Sequence, residues 1–557
     1  MAMAQEKIWG VAAPDGRFWQ SLPTPTTTSI LWAALALGLC WLWWKSNREN
    51  DRPRRSQGGR KSFLPGPRPL PIIGNLHQLG ELPHQTLAEL SKAHGPLMFL
   101  RLGSVPFVVA SSSQAAKLVL QTHDKTFAGR AVHWTAPKII MGPTMPSILF
   151  HQPDAYWRLA RQICVSDFFS NKRMHHFQGV RMREVSNLLV SILNVARDGS
   201  KPIVLREVLQ AGILNIIAIM SVGKPLQQFL TVGSSSCDVD IVRSIFETKA
   251  SLGLFEIGDY IPWLAWLDLQ GSRKRHRQVA KNARTVLQRI VDTRRIEHGS
   301  EGNPSPQDLL DILLKAAGDP NNKDIQFDDA AVRAILLDMF VAGTDTSTMT
   351  IEWALAELLQ NRNKLQKLIM ELHEVVGSSR IVHESDLPNL SYLRAVVNET
   401  LRLHPSAPLL PPHRSMDACE IDGYHIPMGT NVYINAWTIQ RDPSLWENPL
   451  DFEPERFLGS PMMDSIPGQH MELIPFGGGR RSCPGWRLGL LITQIVLANI
   501  LHAFSWEIPI GTSVSLDEKF GIAVSMLKPL YISPLLKLDS NVLIDAQKTL
   551  SDLVEIT

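Results

Sequence analysis

A mainly helical fold with small β-sheets, preceded by a transmembrane helix, is what this sequence predicts, and three observations carry the prediction. Helical apolar periodicity dominates from about Ala155 to Val375. Strand-like runs are short, as in Leu97 to Leu102 and Pro106 to Ala110, and strand and turn signals return after Pro405. Ahead of all this lies one uncharged, strongly apolar run from Ser29 to Trp44. The 557 residues, 44% of them hydrophobic, can bury a large core, and a net charge of +3 gives no bias towards nucleic acid. Length alone suggests three or four domains, but no low-complexity break or internal repeat interrupts the chain between about Pro65 and Leu538, so one large domain is expected.

In order along the chain, residues 1–25 read as an N-terminal tail and 26–44 as a single-pass anchor of nearly the length a bilayer requires. A signal-peptide core, with Ala34-Leu-Ala36 as its small-x-small site, is the other reading; an ending in Trp-Trp-Lys argues against it. Trp41, Trp43 and Trp44 suit the membrane interface, and Lys45, Arg48, Arg52, Arg54, Arg55, Arg60 and Lys61 follow the run against only Lys7 and Arg17 before it. That asymmetry leaves the body in the cytosol. Residues 45–71 form a basic, proline-rich linker, in which Pro65-Gly-Pro-Arg-Pro-Leu-Pro71 cannot continue a helix and acts as a stiff spacer. The folded domain is expected over 72–538 and a polar tail over 539–557. The cysteines Cys40, Cys164, Cys237, Cys419 and Cys483 are odd in number, widely spaced and free of C-x-x-C pairs, which argues against a disulfide framework and a zinc site.

Four patterns carry chemistry. Phe476-Gly-Gly-Gly-Arg-Arg-Ser-Cys483-Pro-Gly485 presents one cysteine from a glycine-rich, doubly basic loop before an apolar helix. Glycines let the backbone approach a flat cofactor, and the arginines and helix N-terminus are expected to lower the thiol pKa, so a thiolate can ligate iron there. From Ala331 to Leu359 an apolar helical pattern is interrupted by Ala342-Gly-Thr-Asp-Thr-Ser347. This small polar patch suggests a local bend or opening, with close packing through small residues as the alternative. Glu399 and Arg402 stand three apart on a helix expected from Tyr392 to Leu403, a spacing that usually means a solvated ion pair. Trp157 and Arg161 stand four apart on another helical face.

Phe476, Gly479, Arg481, Cys483 and Gly485 fit F-x-x-G-x-R-x-C-x-G, and with the other patterns in their order the sequence resembles the cytochrome P-450 monooxygenases and their fold. The resemblance implies that Cys483 is the axial ligand of haem b (iron protoporphyrin IX), with Phe476 of the same loop also binding the cofactor. It implies that Thr346 hydrogen-bonds the oxygen under activation, that Asp345 belongs to the proton route, and that Glu399, Arg402 and Arg456 form a structural triad. Trp157, Arg161, Arg130, His413 and Arg481 are the implied holders of the anionic propionates, with Arg414 as an alternative to His413.

Substrate contacts are implied at Ala131 to Phe150, Leu252 to Leu267, the helix beside Ala342, Ser406 to Leu410 and Ile522 to Val524, a largely apolar set suited to a lipophilic or aromatic molecule. Gly258 to Gly271 and Asn435 to Pro443 look like plant A-type microsomal members, whose substrates are often phenylpropanoids, flavonoids or fatty acids. Gly223-Lys-Pro-Leu departs from the G-K-R pattern of many relatives, so the wall near it is expected to differ. No convincing G-x-G-x-x-G signature is present, which implies electrons from NADPH through a separate NADPH-cytochrome reductase docked near Arg480 and Arg487. Molecular oxygen, membrane lipid and a lipophilic substrate complete the implied partners, without nucleic acid, on the cytosolic side of the endoplasmic reticulum. A haem-thiolate isomerase or dehydratase acting on peroxides is a rival that the Asp345-Thr346 pair speaks against. A non-catalytic haem sensor is the other, and NADPH-dependent turnover separates it from an enzyme.

Overall fold

The helical periodicity resolves, in the computed structural model, into α1 (Ala155–Gln162), α2 (Gln178–Arg197), α3 (Leu205–Val222), α4 (Ile241–Leu252), α5 (Ser272–Glu301), α6 (Asp329–Gln360), α7 (Ser391–Leu403), α8 (Trp486–Ala503) and α9 (Ser540–Glu555), with shorter helices between them. The structure describes residues 64–555 except 132–133, 200, 231–240, 302–307 and 326, together with positions 34, 35, 38, 54 and 55. All but three positions of the expected anchor over 26–44 and most of the linker over 45–71 therefore lie outside the described residues.

Helix α6 is the axis of the body. Asp328 caps it, accepting from the Ala330 and Ala331 N–H groups at 2.9 and 3.1 Å. From Ala331 to Leu359 its residues are buried except at Arg333, Asp338, Val341, Ala342, Gly343 and Thr346, the burial of a helix surrounded by protein. α3, α4, α5, α7 and α8 pack against it. The expected opening at 342–347 does not interrupt the helix. Instead the hydroxyls of Thr346, Thr348 and Thr350 each donate to the carbonyl four residues back, at 2.7, 2.8 and 2.8 Å. Two described helices, α3 and α8, are long and apolar enough to cross a membrane, but 61% and 67% of those stretches are buried inside the protein, as core helices are.

Strands β1 (Leu97–Leu102), β2 (Val105–Ala110), β3 (Gly129–Arg130), β4 (His413–Arg414) and β5 (Asn431–Ile434) form a sheet in the order β1-β2-β5-β4-β3. Every residue of β1 is buried, Arg101 included, which is why it reads as an apolar run with a single charge rather than an alternation. β2 and β5 run parallel, and the other neighbours are antiparallel. The register of β3 on β4 sets Arg130 opposite His413, joining two candidates from distant parts of the sequence.

The segment after Leu538, expected as a polar tail, is helix α9, which lies on α2. Leu543 is buried, and Val542, Ile544, Ala546 and Leu550 pack against the core. Gln547 donates to Asn187 of α2 at 2.9 Å. The polar composition of the segment masks an apolar stripe at helical spacing.

Candidate active site

A cavity of about 490 Å³ lies between α6 and the glycine-rich loop before α8. The loop wall includes residues 475–478 and 481–485, with Gly489 behind them. Gly479 has φ +62°, and a Cβ there would fall 2.0 Å from the Leu120 carbonyl oxygen, so this turn requires glycine. Gly489 faces open space, where a side chain would enter the cavity. Cys483 is fixed by its N–H, which donates to the Phe476 carbonyl at 3.0 Å, while the Gly485 N–H reaches the sulfur.

The expected lowering of the thiol pKa does not hold for the sulfur by itself. Burial raises it, outweighing the Gly485 N–H and the Arg161 guanidinium. Of the two loop arginines, Arg480 pairs with Asp124 at 2.9 Å, and Arg481 turns to carbonyls. A metal coordinated there would remove the proton, because a coordinating thiol loses it outright.

Beside the cysteine, Arg130, Arg161, Arg481 and His413 all line the cavity, and none of the three arginines forms an ion pair among the described residues. Arg130 donates to Leu149 and Pro411 carbonyls at 3.0 and 2.8 Å, Arg161 to the Ser482 carbonyl at 2.9 Å, and Arg481 to Ala128 and His151 carbonyls at 2.7 and 2.6 Å. Burial and then the neighbouring guanidiniums push Arg481 down to about 8, and burial and then Arg161 push Arg130 down to about 9. Burial and the same arginines lower His413 to about 3, and its Nδ1 bonds the Phe127 carbonyl at 2.8 Å. Such crowding of buried positive charge suits an anionic partner, and a flat ligand with two carboxylates fits it.

Trp157, expected among the cofactor donors, uses its indole N–H on the Ile148 carbonyl at 3.0 Å and does not line the cavity. It lies instead under Arg481 and Arg161, at 4.2 and 5.6 Å from ring centre to guanidinium. Arg414 does not line the cavity either, whereas His413 does.

On the opposite wall, Thr346 is exposed to the cavity and its hydroxyl donates to the Ala342 carbonyl, leaving the oxygen able to accept. Asp345 is buried, with Gln210 of α3 on Oδ1 at 3.1 Å and Lys249 of α4 on Oδ2 at 2.5 Å. Burial raises its pKa, against Lys249 first and then Gln210 and Arg206. Two helical turns earlier, Asp338 also lines the cavity. It accepts from the Ser147 hydroxyl at 2.8 Å and the Ile148 N–H at 2.7 Å, yet burial lifts it to about 7. Sequence reasoning missed Gln210, Lys249 and Asp338. Only Asp338 left a signal, an acid inside the apolar run Leu336-Leu-Asp-Met-Phe340.

The Glu399–Arg402 pair is not solvated. Both side chains are fully buried, with Arg402 bidentate on Glu399 at 2.7 and 2.8 Å, and Arg456 adds a third contact at 3.1 Å. Arg402 also donates to the Gln440 carbonyl, and the Gln440 side chain accepts the Ile474 N–H at 2.9 Å, two residues before Phe476. The triad is thereby tied to the start of the cysteine loop.

All five segments expected to touch substrate contribute to the lining. Trp134 and Phe150 meet edge to face at 5.8 Å, and Phe255 stacks on Tyr260 at 5.1 Å. The departure at Gly223 has no bearing on this wall: Gly223 ends α3, Lys224 pairs with Glu297 at 2.6 Å, and neither lines the cavity.

The family model for cytochrome P-450 matches residues 64–533. The chain belongs to the cytochrome P-450 family. A flavonoid 3′,5′-hydroxylase of Campanula medium is 39% identical, over 84% of this chain and 90% of its own. A flavonoid 3′-monooxygenase of Petunia hybrida is 38% identical over 86% and 92%, and a dimethylnonatriene synthase of Zea mays 39% identical over 86% and 92%. A solved zebra fish cytochrome P-450 with abiraterone shares the fold, with a TM-score of 0.67 at 24% identity over 82% of this chain and 100% of that one. This cytochrome P-450 is accordingly a haem-binding, oxygen-incorporating oxidoreductase that uses a redox partner, a lipophilic substrate and molecular oxygen. The matches do not favour the isomerase or sensor readings.

Proposed function

We propose that this cytochrome P-450 hydroxylates a planar aromatic molecule of the flavonoid or phenylpropanoid class. The observation that carries the reading is an apolar, aromatic-walled cavity opening onto Thr346, in a chain whose relatives include flavonoid hydroxylases. Bound haem supplies the activation of molecular oxygen, one atom entering the substrate and the other leaving as water. Cys483 would hold the haem iron through its thiolate, and Arg130, Arg161, Arg481 and His413 would receive the propionates. The Glu399–Arg402–Arg456 network fixes the loop beneath. The Thr346 hydroxyl orders water and hydrogen-bonds the reacting oxygen, while Asp345 holds and passes the proton. The apolar lining keeps bulk water from that exchange.

We assign the electron supply to NADPH-cytochrome reductase, docking on the face that carries exposed Arg480 and Arg487. Residues 26–44 anchor the protein in the endoplasmic reticulum membrane with the catalytic body in the cytosol. Phe255, Trp263, Trp266, Leu267 and Leu269 are exposed, and Phe255 also lines the cavity, which supports lipid contact where a lipophilic substrate enters. The test is reconstitution with the reductase and NADPH on a panel of flavonoids, phenolic esters and fatty acids, read by product mass and haem-spectrum shift. Aromatic members are expected to shift the spectrum and gain one oxygen; turnover confined to fatty acids overturns the substrate class.

A further inference from the structure

Asp345 has two partners, and they come from two different helices. Its carboxylate receives the Gln210 amide of α3 on one oxygen at 3.1 Å and the Lys249 ammonium of α4 on the other at 2.5 Å. The Lys249 side chain is 24% exposed against 4% for Asp345, so the ammonium is the solvent-facing end of the pair. The remaining charges around it are Arg206 of α3 and Glu352 of α6, which pair with each other at 2.7 Å. Arg206 also donates to the Met526 carbonyl at 3.1 Å, and Glu352 accepts the Leu530 N–H at 2.9 Å. Arg206 is thus committed elsewhere, and Lys249 supplies the nearest positive charge to Asp345.

The helix that carries Lys249 is also a wall of the substrate cavity. Leu252, at the end of α4, and residues 253–256 after it line the space, as do Asp345 and Thr346 across from them. One turn of helix therefore separates a residue that lines the cavity from the residue that grips the carboxylate.

We propose that Lys249 is a positioning residue for proton delivery, its ammonium orienting the Asp345 carboxylate so that the place of α4 against the substrate sets how the proton route is aligned. The inference rests on the role proposed above for Asp345. Its physical content is that the ammonium on one oxygen, together with the Gln210 amide on the other, fixes the orientation of the carboxylate. Removing the ammonium leaves burial opposed only by Gln210 and the more distant Arg206, so the carboxyl stays protonated to higher pH. Each pKa unit of that rise changes the ionised fraction about tenfold at a given pH.

The experiment uses the holoenzyme with its reductase, comparing wild type, Lys249→Met, Lys249→Arg, Asp345→Asn and the Lys249→Met/Asp345→Asn double variant. Product per NADPH and hydrogen peroxide release are followed across pH. The infrared carboxyl band of Asp345, identified by its loss in Asp345→Asn, gives a readout independent of turnover. Lys249→Met is expected to lower product per NADPH about tenfold near neutral pH, raise peroxide and move the Asp345 band to higher pH. Lys249→Arg restores most of the coupling, and adding Lys249→Met to Asp345→Asn changes nothing further, because the lysine acts through the aspartate. Wild-type coupling and an unmoved band in Lys249→Met, with coupling lost in Asp345→Asn, overturn the inference while sparing the role of Asp345. Wild-type coupling in Asp345→Asn removes both. If Lys249→Met and Lys249→Arg alike lose the reduced carbon-monoxide spectrum, the lysine is a structural tie and the inference also fails.

Discussion

The two walls of the cavity are held in opposite ways. On the cysteine wall the charges are positive, they answer to backbone carbonyls, and the support beneath is a fully buried Glu399–Arg402 pair that reaches the loop through Gln440 and Ile474. On the α6 wall the charges are negative and they answer mainly to side chains from other elements: Lys249 and Gln210 on Asp345, and Ser147, with the Ile148 N–H, on Asp338. Carbonyls of a folded chain are fixed in place, whereas a lysine on a neighbouring helix can move with that helix. The difference separates a wall shaped to keep an anionic, flat group in one position from a wall able to change the state of its acids.

The sharpest way to break the comparison is Cys483→Ala, which is expected to abolish turnover and the reduced carbon-monoxide band even if haem is retained. Cys419→Ala, half-buried on a strand that does not line the cavity, is expected to leave both intact. An unchanged band in Cys483→Ala removes the assignment of the thiolate. Next in size is Glu399→Ala. Two guanidiniums would lose their shared carboxylate, one of them fully buried, at a cost of about 3–5 kcal/mol. The readouts are the denaturation midpoint and the fraction of protein that keeps haem, and wild-type values for both show that the triad does not support the loop.

Thr346→Ala acts on the other wall and is expected to spare haem content while product per NADPH falls and peroxide rises. Contributions of this acid–base kind are typically about 100- to 10,000-fold in rate. Unaltered coupling there favours the reading of residues 342–347 as close helix packing. A smaller, pH-dependent effect belongs to Asp338→Asn. Because the folded pKa of Asp338 is raised to about 7, its contribution to stability is fully present below the unfolded value of about 4 and is lost as pH rises through 7. Wild-type stability should therefore decline over that window by more than the variant's, a difference that parallel unfolding curves at pH 4, 5, 6 and 7 would expose; identical slopes contradict it. The mildest expectation is for removal of residues 539–557, which uncovers the α2 surface under Leu543. The melting temperature should drop with coupling unchanged, since α9 lies on neither wall.

The contrast also explains what could be read before folding. The cysteine loop was legible because its glycines, arginine and cysteine are contiguous, and the acid–threonine patch because polar residues interrupt an apolar helix. Glu399 and Arg402 could be paired by spacing, but three residues on a helix carry no information about burial, so a solvated pair was the natural expectation and a buried one is found. The thiol was expected to be acidified by its loop arginines; Asp124 and the Ala128 carbonyl occupy them, and no local pattern announces such partners. Lys249, Gln210 and Gln440 belong to the site only because α3, α4 and the turn after β5 converge there. α9 was hidden for a different reason, since its polar positions outnumber the few that touch α2.

The clustered guanidiniums of Arg130, Arg161 and Arg481 bear on how the protein is made. Bringing these like charges together at one cavity opposes folding, and an anionic ligand received there would offset that cost. A ligand that binds only the folded form shifts that balance in proportion to its concentration over its dissociation constant. Cofactor supply would then govern how much of this chain survives quality control, and starving an expressing cell of haem should deplete the wild-type protein more steeply than a variant in which Arg130 is replaced by methionine.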